Sequence, residues 1–591
     1  MDFNSKSNPK YLVLGGDASS YDGGLDLMFL GLWCAGFNSK LPLIFRSIEC
    51  ARPYGISKQE KDSDLKKARE IEKKLFPTLV ITMNKIHCLK EQSRYWEIIL
   101  GHWFRRYIEV LINRYGTVNQ CLKENNIAVI ELWEIEDSFL AKNNSLDAIW
   151  SFSDDLWNLA INSKIIKIIN PSINISYIKN NINKKKEFRK RVKKKAVSIL
   201  EILNTTLQKF INLIQKDTRP LILNTYLPVI DELKLQYLEG CFPTIKRVNK
   251  STSNEKYSSL LRKNASKIFQ EKKALNTEFE KVFFELLFLL MPKCYLEGFD
   301  SNRAMANLLP WPKYPKYIFT SNNFDTDELF KIWTAKKVSE GAKYIVGQHG
   351  ANYGTSKYLN PSIEESVSDK FLTWGWEGDL PQHTKSFIFK NLKIKHRFKN
   401  KLILVELHPS QRCTTWDDVF EFSLYFKNQI IFCSKLSKYI RKNLIVRLHS
   451  DSNRMEWFEI ARWNAYDQSI KIDVGVKSIE RLIEKSKLVV FSYDSSGLLE
   501  MISGGHPCMA FWAEGLQHLQ SKAVPVYRML EAVGIIHFSP DSIASKINEI
   551  WDDIDGWWSS AEVKKAREEY CRQYINRSKN LSIDIHQLLN K

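Results

Sequence analysis

Short apolar runs that end in Gly, Ser, His or another polar turn recur along this chain and outline its architecture. Tyr11–Leu14 (YLVL) runs into Gly15-Gly16, as a first buried strand of an α/β sheet does, and Leu27–Leu32 (LMFLGL) predicts a second. From about Lys58 to Tyr115 the period lengthens. Trp96, Ile99, Leu100, Trp103, Tyr107 and Val110 fall at spacings of three and four, the stripe of an amphipathic helix. Ile127–Leu132 (IAVIEL) predicts another strand. Residues 145 to about 291 read as mostly helical, an insertion in the first lobe. Strands return at Tyr317–Thr320, Lys343–Gly347 and Phe371–Gly375, the last of this lobe.

The polar stretch Glu377–Asn400 reads as a linker, after which the rhythm restarts. Leu402–Glu406 leads into His408-Pro409, Leu444–Leu448 into His449, Leu488–Phe491 into Ser492, and Met509–Phe511 into Trp512. Short strands alternating with amphipathic helices predict a parallel, doubly wound sheet. From Asp541 onward the pattern is helical. The expected class is α/β, with two Rossmann-like lobes and a large helical insertion (about 145–291) in the N-terminal one. The expected boundaries are 1–380 for the N-terminal lobe, 396–565 for the C-terminal lobe and 566–591 for a helical tail.

A length of 591 residues fits this two-lobed picture better than one core. The aromatic share of 12% serves cores first, and sugar-stacking surfaces second. The formal net charge of +20 is partly local, in KKKEFRKRVKKK (Lys184–Lys195). Such a run makes a solvated helix face, and it also suits peripheral contact with an anionic inner leaflet. No nucleic-acid-binding signature accompanies it. The ten cysteines form no CxxC and no zinc spacing, so they read as reduced thiols of a cytoplasmic protein. The most apolar stretch, Val282–Met291, is about half the length that spans a bilayer.

Three segments carry candidate chemistry. In Ser492–Trp512 (SYDSSGLLEMISGGHPCMAFW), Ser492, Ser495 and Ser496 stand where a strand gives way to a helix. The unpaired N–H groups of a helix start seat a phosphate, and Glu500, one turn in, can accept from a ribose or sugar hydroxyl. In Gly347–Gly354 (GQHGANYG), Gln348, Gly350 and Gly354 make a loop that approaches a ligand or the second lobe closely, around His349. In Glu406–Pro409 (ELHP), Pro409 holds His408 extended, aimed out of the strand end, with Arg447 on the next strand. Asp325-Thr326-Asp327 has the form of a metal-binding DxD pair, but its surroundings read as a capped helix start. No metal site is expected. Walker A, GxSxG and GxGxxG patterns do not occur after a strand.

Taken in order, FLGLWC (Phe29–Cys34), SRYWEIILGHW (Ser93–Trp103), SFSDDLWN (Ser151–Asn158), YLEGF (Tyr295–Phe299), the stretch Trp311–Ala335, GAKYIVGQHGANYG (Gly341–Gly354), SDKFLTWGW (Ser368–Trp376) and SYDSSGLLE resemble one family. These are the transferases of bacterial O-antigen and lipopolysaccharide gene clusters, best known from spirochaetes. His102 departs from that pattern where Pro is expected, Ala351 where Gly is usual, and Gly505-His506 where Asn is common before Pro507. The QHG, ELHP and SxxSSxxxE elements are also similar to pieces of two-lobed GT-B enzymes of surface-polysaccharide assembly, many of which use CMP- or CDP-activated donors.

The resemblance implies a glycosyltransferase that moves a sugar from a nucleotide-sugar donor, preferably a CMP-sugar, to a glycan or lipid-linked acceptor. Ser495, Ser496 and helix N–H groups would meet the leaving phosphate, helped by His408 or Arg447, without a metal or other cofactor. The base on the acceptor hydroxyl would be Glu297, Asp17, Asp22 or His349, with Glu297 alternatively paired to an arginine such as Arg94. Two rivals remain: a phospho-alcohol transferase using a CDP donor with His349 as base, and a glycan-binding scaffold protein.

Overall fold

The computed structural model describes residues 8–15, 24–31, 34, 49–169, 172–179, 216–243, 254–271, 277–390, 400–407, 414–416, 422–450, 458–476 and 478–591. Asp17, Asp22, His408, Pro409 and the basic run Lys184–Lys195 lie outside the described residues.

Three parallel sheets form the frame. The first contains β1 (Lys10–Val13), β2 (Asp26–Phe29), β3 (Glu49–Cys50), β4 (Ile127–Glu134) and β5 (Asn174–Lys179), in the order β3-β2-β1-β4-β5. The second contains β6 (Leu221–Ile222), β7 (Tyr317–Thr320), β8 (Lys343–Gly347), β9 (Lys370–Thr373) and β10 (His383–Lys385), in the order β10-β9-β8-β7-β6. The third contains β11 (Lys401–Val405), β12 (Leu444–Arg447), β13 (Lys471–Asp473), β14 (Ser486–Phe491), β15 (Cys508–Phe511) and β16 (Ile536–His537), in the order β13-β12-β11-β14-β15-β16. All pairings between neighbours are parallel.

The α/β class therefore holds, and the N-terminal lobe carries two sheets rather than one. The expected strands β1, β4, β7, β8, β9, β11, β12, β14 and β15 are present within a residue or two. The short edge strands are the ones the apolar pattern does not reveal. β5 and β6 sit inside the stretch read as a helical insertion, and β10 sits inside the stretch read as a linker. Edge strands of two to six residues bury too little to show an apolar run.

Two long helices pack on each other beside these sheets. The helix α1 (Lys58–Ile86) starts in a capping box, Ser57 accepting from the Glu60 amide while Glu60 returns to the Ser57 amide. In α2 (Ser93–Glu124) every member of the predicted stripe from Trp96 to Val110 is buried. The helix α3 (Asp155–Ile169) packs on α2 and β4. Further along come α4 (Val229–Leu238) and α5 (Glu278–Leu290), and α5 holds most of the apolar stretch Val282–Met291. It is a core helix on α2 and α3, and its Phe283 carbonyl accepts from Tyr107 at 2.6 Å. The helix α6 (Glu328–Ser339) lies along α2. Among the described residues no helix is long and apolar enough to cross a membrane.

In the third sheet the carboxyl end of β14 feeds α7 (Ser496–Gly504). The strand order reverses between β11 and β14, which is the switch point where doubly wound sheets open a crevice for ligand. After this sheet the chain returns to the second one. The final helix, α8 (Leu581–Asn590), packs on α4, with Leu581, Ile585 and Leu589 in one core with Ile222, Tyr317 and Ile345.

Candidate active site

A cavity of about 1200 Å³ opens between the carboxyl ends of β7 and β8 on one side and of β11, β14 and β15 on the other, with α2 as a third wall. Its size and mixed lining suit a small-molecule substrate.

The third-sheet wall is built by the turn after β14. Ser495 caps α7, its Oγ accepting from the Leu498 amide at 3.1 Å. The first-turn amides of Ser496 and Gly497 remain as donors with no intrahelical acceptor, and both residues line the cavity. Gly497 is required here. A Cβ at this position would stand 2.6 Å from the Phe491 ring, so only glycine lets the helix start this close to the strand end. Ser492 is a brace rather than an open hydroxyl. Its Oγ donates to the Val405 carbonyl at 3.1 Å, accepts from the Leu407 amide at 3.2 Å and lies 2.5 Å from the Tyr425 hydroxyl, tying β11 to β14. The Asp494 carboxylate is taken up by His518 Nε2 at 3.1 Å and the Tyr527 hydroxyl at 2.9 Å.

Two expected donor-side residues face elsewhere. Arg447 is held by Asp473 and by the Gly475 carbonyl (3.2 Å), and it does not line the cavity. Glu500 also lies outside the lining. It pairs with Lys390 at 3.7 Å across the lobes, and burial raises its carboxyl above the usual range. Glu406 is buried at the end of β11, where desolvation pushes its carboxyl to about 8 while Trp463 Nε1 donates to it at 3.2 Å.

The second-sheet wall is the GQHGANYG loop. Gln348 is buried and braces it: Nε2 donates to the Gly350 carbonyl at 2.8 Å, and Oε1 accepts from the Trp374 amide and Trp376 Nε1, both at 2.8 Å. Gly354 has φ +71°, and a Cβ there would enter the Trp376 ring at 2.5 Å. Gly350 and Ala351 meet α7: the Ala351 amide donates to Ser496 Oγ at 2.7 Å, so the loop and the helix start form one seam.

His349 lines the cavity beside Phe324 and Tyr226, with ring centroids 5.5 and 5.8 Å away. The Tyr353 hydroxyl donates to the buried Glu364 carboxylate. That hydroxyl oxygen is therefore the acceptor for His349 Nδ1–H, 3.1 Å away. The proton is fixed on Nδ1 and the lone pair on Nε2, as a general base requires. Burial lowers the His349 pKa, partly offset by Glu364 and Asp325, so the imidazole is neutral at pH 7.

The third wall comes from α2. His102 stacks on Phe324 at 5.3 Å, and its Nε2 stands 3.6 Å from Glu364. Burial pushes its pKa down to about 4, so at neutral pH this contact is not an ion pair. Arg106 grips Asp325 with two bonds of 2.5 and 2.8 Å. Burial works to raise the Asp325 carboxyl, but the guanidinium prevails and holds it well below the usual carboxylate range. Asp327 caps α6, accepting from the Phe330 amide at 3.1 Å. The Asp325-Thr326-Asp327 stretch is thus one ion pair and one helix cap.

Glu297 requires a correction. It is buried outside the cavity, where Arg262 grips it with two bonds of 2.8 Å and the Ser258 amide donates at 3.0 Å. Held by this pair and away from the cavity lining, it is not placed to act as the base for a substrate there. Its partner is Arg262, not Arg94, which pairs with Asp369 at 2.8 Å. Of the expected groups, the structure brings together His349, Gly350, Ser492, Ser495 and Ser496. The sequence reading missed the roles of Tyr353, Glu364 and His102. Tyr353 stands four residues from His349 in the same loop, a usable signal. Glu364 and His102 arrive from distant segments and leave none.

The start of α7 and the oriented imidazole of His349 thus line one interlobe cavity. A model of the LIC12162 family transferases matches residues 10–589, and the chain belongs to that family. No curated protein matches it. Among solved structures it is similar to the wall teichoic acid polymerase TagF, at 11% identity over 66% of this chain and 94% of that one, with a TM-score of 0.32. It is also similar to the spinosyn rhamnosyltransferase SpnG complexed with spinosyn aglycone, at 10% identity over 63% of this chain and all of that one, with a TM-score of 0.31. At these scores the likenesses carry no weight for function, and the fold rests on the three parallel sheets themselves.

Proposed function

We propose that this transferase moves a glycosyl group from a nucleotide-activated donor, seated on the third sheet, to an acceptor hydroxyl presented at His349. The observation that carries the reading is the Glu364–Tyr353–His349 chain, which leaves a lone pair on Nε2 in a cavity whose opposite wall is the α7 start. The acceptor oxygen attacks the anomeric carbon and its proton passes to Nε2. The bond from that carbon to the phosphate oxygen breaks, and its electron pair leaves with the phosphate. The Ser496 and Gly497 amides and the helix dipole meet the charge that develops there. A CMP-sugar donor, a surface-glycan or lipid-linked acceptor, turnover without a metal, and a cytoplasmic setting at the inner leaflet form part of this reading.

The test pairs binding with turnover. Thermal shifts against CMP, CDP, UDP and GDP identify the nucleotide, and product analysis of the matching activated donors identifies the bond formed. A glycoside is the expected product, whereas a phosphodiester identifies a phospho-alcohol transferase and overturns the reading. His349→Asn is expected to keep the nucleotide shift and lose transfer. A His349→Asn protein with full activity removes the base, and a chain that no nucleotide stabilises supports the scaffold instead.

A further inference from the structure

Asp494 differs from its neighbours among the carboxylates that line the cavity. Glu109, Asp325 and Glu364 are held by Arg69, Arg106 and Tyr353. Asp494 is clamped through one oxygen: His518 Nε2 at 3.1 Å and the Tyr527 hydroxyl at 2.9 Å both meet Oδ2. The clamp is itself anchored, because the His518 carbonyl accepts from the Lys357 amide at 2.9 Å and fixes that loop to the second-sheet lobe. The Asp494 side chain is 10% exposed and lines the cavity, and its Oδ1 is neither sealed by protein nor bonded among the described residues. A nine-tenths-buried carboxylate therefore presents one fixed, unused acceptor oxygen to the cavity.

The chemistry of that oxygen says what it meets. A carboxylate only accepts, so its partner is a donor, and an ionised phosphate oxygen is not one. Asp494 stands two residues before Ser496, within about 7 Å along the chain of the amides proposed to seat the phosphate. The parts of a donor that lie so close to its phosphate are the rings bonded to it, and these carry hydroxyls. The sequence pattern assigns this contact to Glu500, but Glu500 lies outside the cavity lining and pairs with Lys390. We infer that Asp494 is a substrate-binding residue whose Oδ1 accepts a hydrogen bond from a hydroxyl of the nucleotide-activated donor, on the ribose or on the transferred glycosyl group. The inference rests on the donor reading above and adds the residue that reads the group beside the phosphate.

Calorimetry on the full chain tests it with CMP, CDP, UDP and GDP, their 2′-deoxy and 3′-deoxy forms, CMP-Kdo and UDP-glucose. A hydrogen bond to a charged group is worth about ten- to a hundredfold in affinity. Asp494→Asn keeps the size of the side chain and an acceptor for His518 and Tyr527, and it turns the cavity-facing oxygen into a donor. With the hydroxyl on the ribose, the wild type binds the recognised nucleotide about tenfold or more tighter than a deoxy form, and Asp494→Asn erases that preference. With the hydroxyl on the glycosyl group, Asp494→Asn keeps the nucleotide affinity and loses about tenfold of what the attached sugar adds. Tyr527→Phe leaves Oδ1 in place and is expected to keep whichever preference the wild type shows. A wild type that binds nucleotide but ignores every ribose hydroxyl and the attached sugar overturns this inference, whatever the variants do, and leaves the nucleotide seat standing. An Asp494→Asn protein that weakens ribo and deoxy forms alike, or that weakens only the amino-bearing bases of CMP, CDP and GDP, also overturns it. A wild type that binds no nucleotide overturns the donor reading and this inference together.

Discussion

Replacing Tyr353 by Phe removes one oxygen from the chain that orients His349, and its consequences can be worked out from the contacts. The hydroxyl is buried between the Glu364 carboxylate and His349 Nδ1, so its loss breaks two hydrogen bonds while the ring packing stays. A hydrogen bond to a charged group contributes about 1.5–3 kcal/mol, so the variant unfolds about 2 kcal/mol more easily. The effect on rate is separate. A positioned general base supplies about 10²–10⁴ in rate. Without its Nδ1 acceptor the imidazole can rotate and can place its proton on Nε2. Part of that factor is lost, about 10²-fold, or roughly 2.7 kcal/mol of transition-state stabilisation. In the proposed reading the donor nucleotide seats on α7, away from Tyr353, so its KM should stay near the wild-type value.

The assay is the initial rate of nucleotide release at saturating donor, on protein whose melting curve shows it to be folded. Introducing Tyr353→Phe into His349→Asn should cost little more, because both substitutions disable one unit. A Tyr353→Phe enzyme within about threefold of wild-type kcat would refute the relay, since orientation effects of this kind are far larger. So would a full additional loss in the His349→Asn background.

Two other predictions follow from the buried charges. Glu297→Gln should leave the turnover of the folded protein unchanged, whereas Arg262→Met, which strands the Glu297 carboxylate, should cost about 3–5 kcal/mol in urea unfolding; a collapse of kcat in Glu297→Gln would return that residue to the chemistry. His102 holds its proton less tightly when folded (pKa about 4) than when unfolded (about 6.5), so it leaves stability untouched above pH 6.5 or so. As pH falls from there towards 4 the unfolded state takes up the proton first, and stability drops by roughly 3 kcal/mol from this group before levelling. His102→Asn should flatten that part of the pH–melting profile, and an unchanged slope would contradict the depressed pKa.

What the amino-acid sequence determined by itself was local. Apolar runs such as Tyr317–Thr320 and Lys343–Gly347 form strands at the expected residues, because three or four buried side chains in a row suit a strand covered on both faces. The helix start at Ser495 was legible because hydroxyl capping is a contact within one turn. The place of His349 on a cavity-lining loop was legible because a histidine between Gln348 and Gly350, directly after a core strand, is a local pattern too.

Tertiary structure decided everything that depended on distant partners. Whether Glu297 faced substrate or an arginine was open in the sequence, and Arg262 settles it from a helix of its own. Ser492 looked like a phosphate ligand until the close approach of β11 and β14 turned it into a brace. The basicity of His349 depends on Glu364, and the His102 that shares this carboxylate comes from α2, far away in sequence. Proton position and burial are set by such long-range contacts, and no spacing along the chain encodes them.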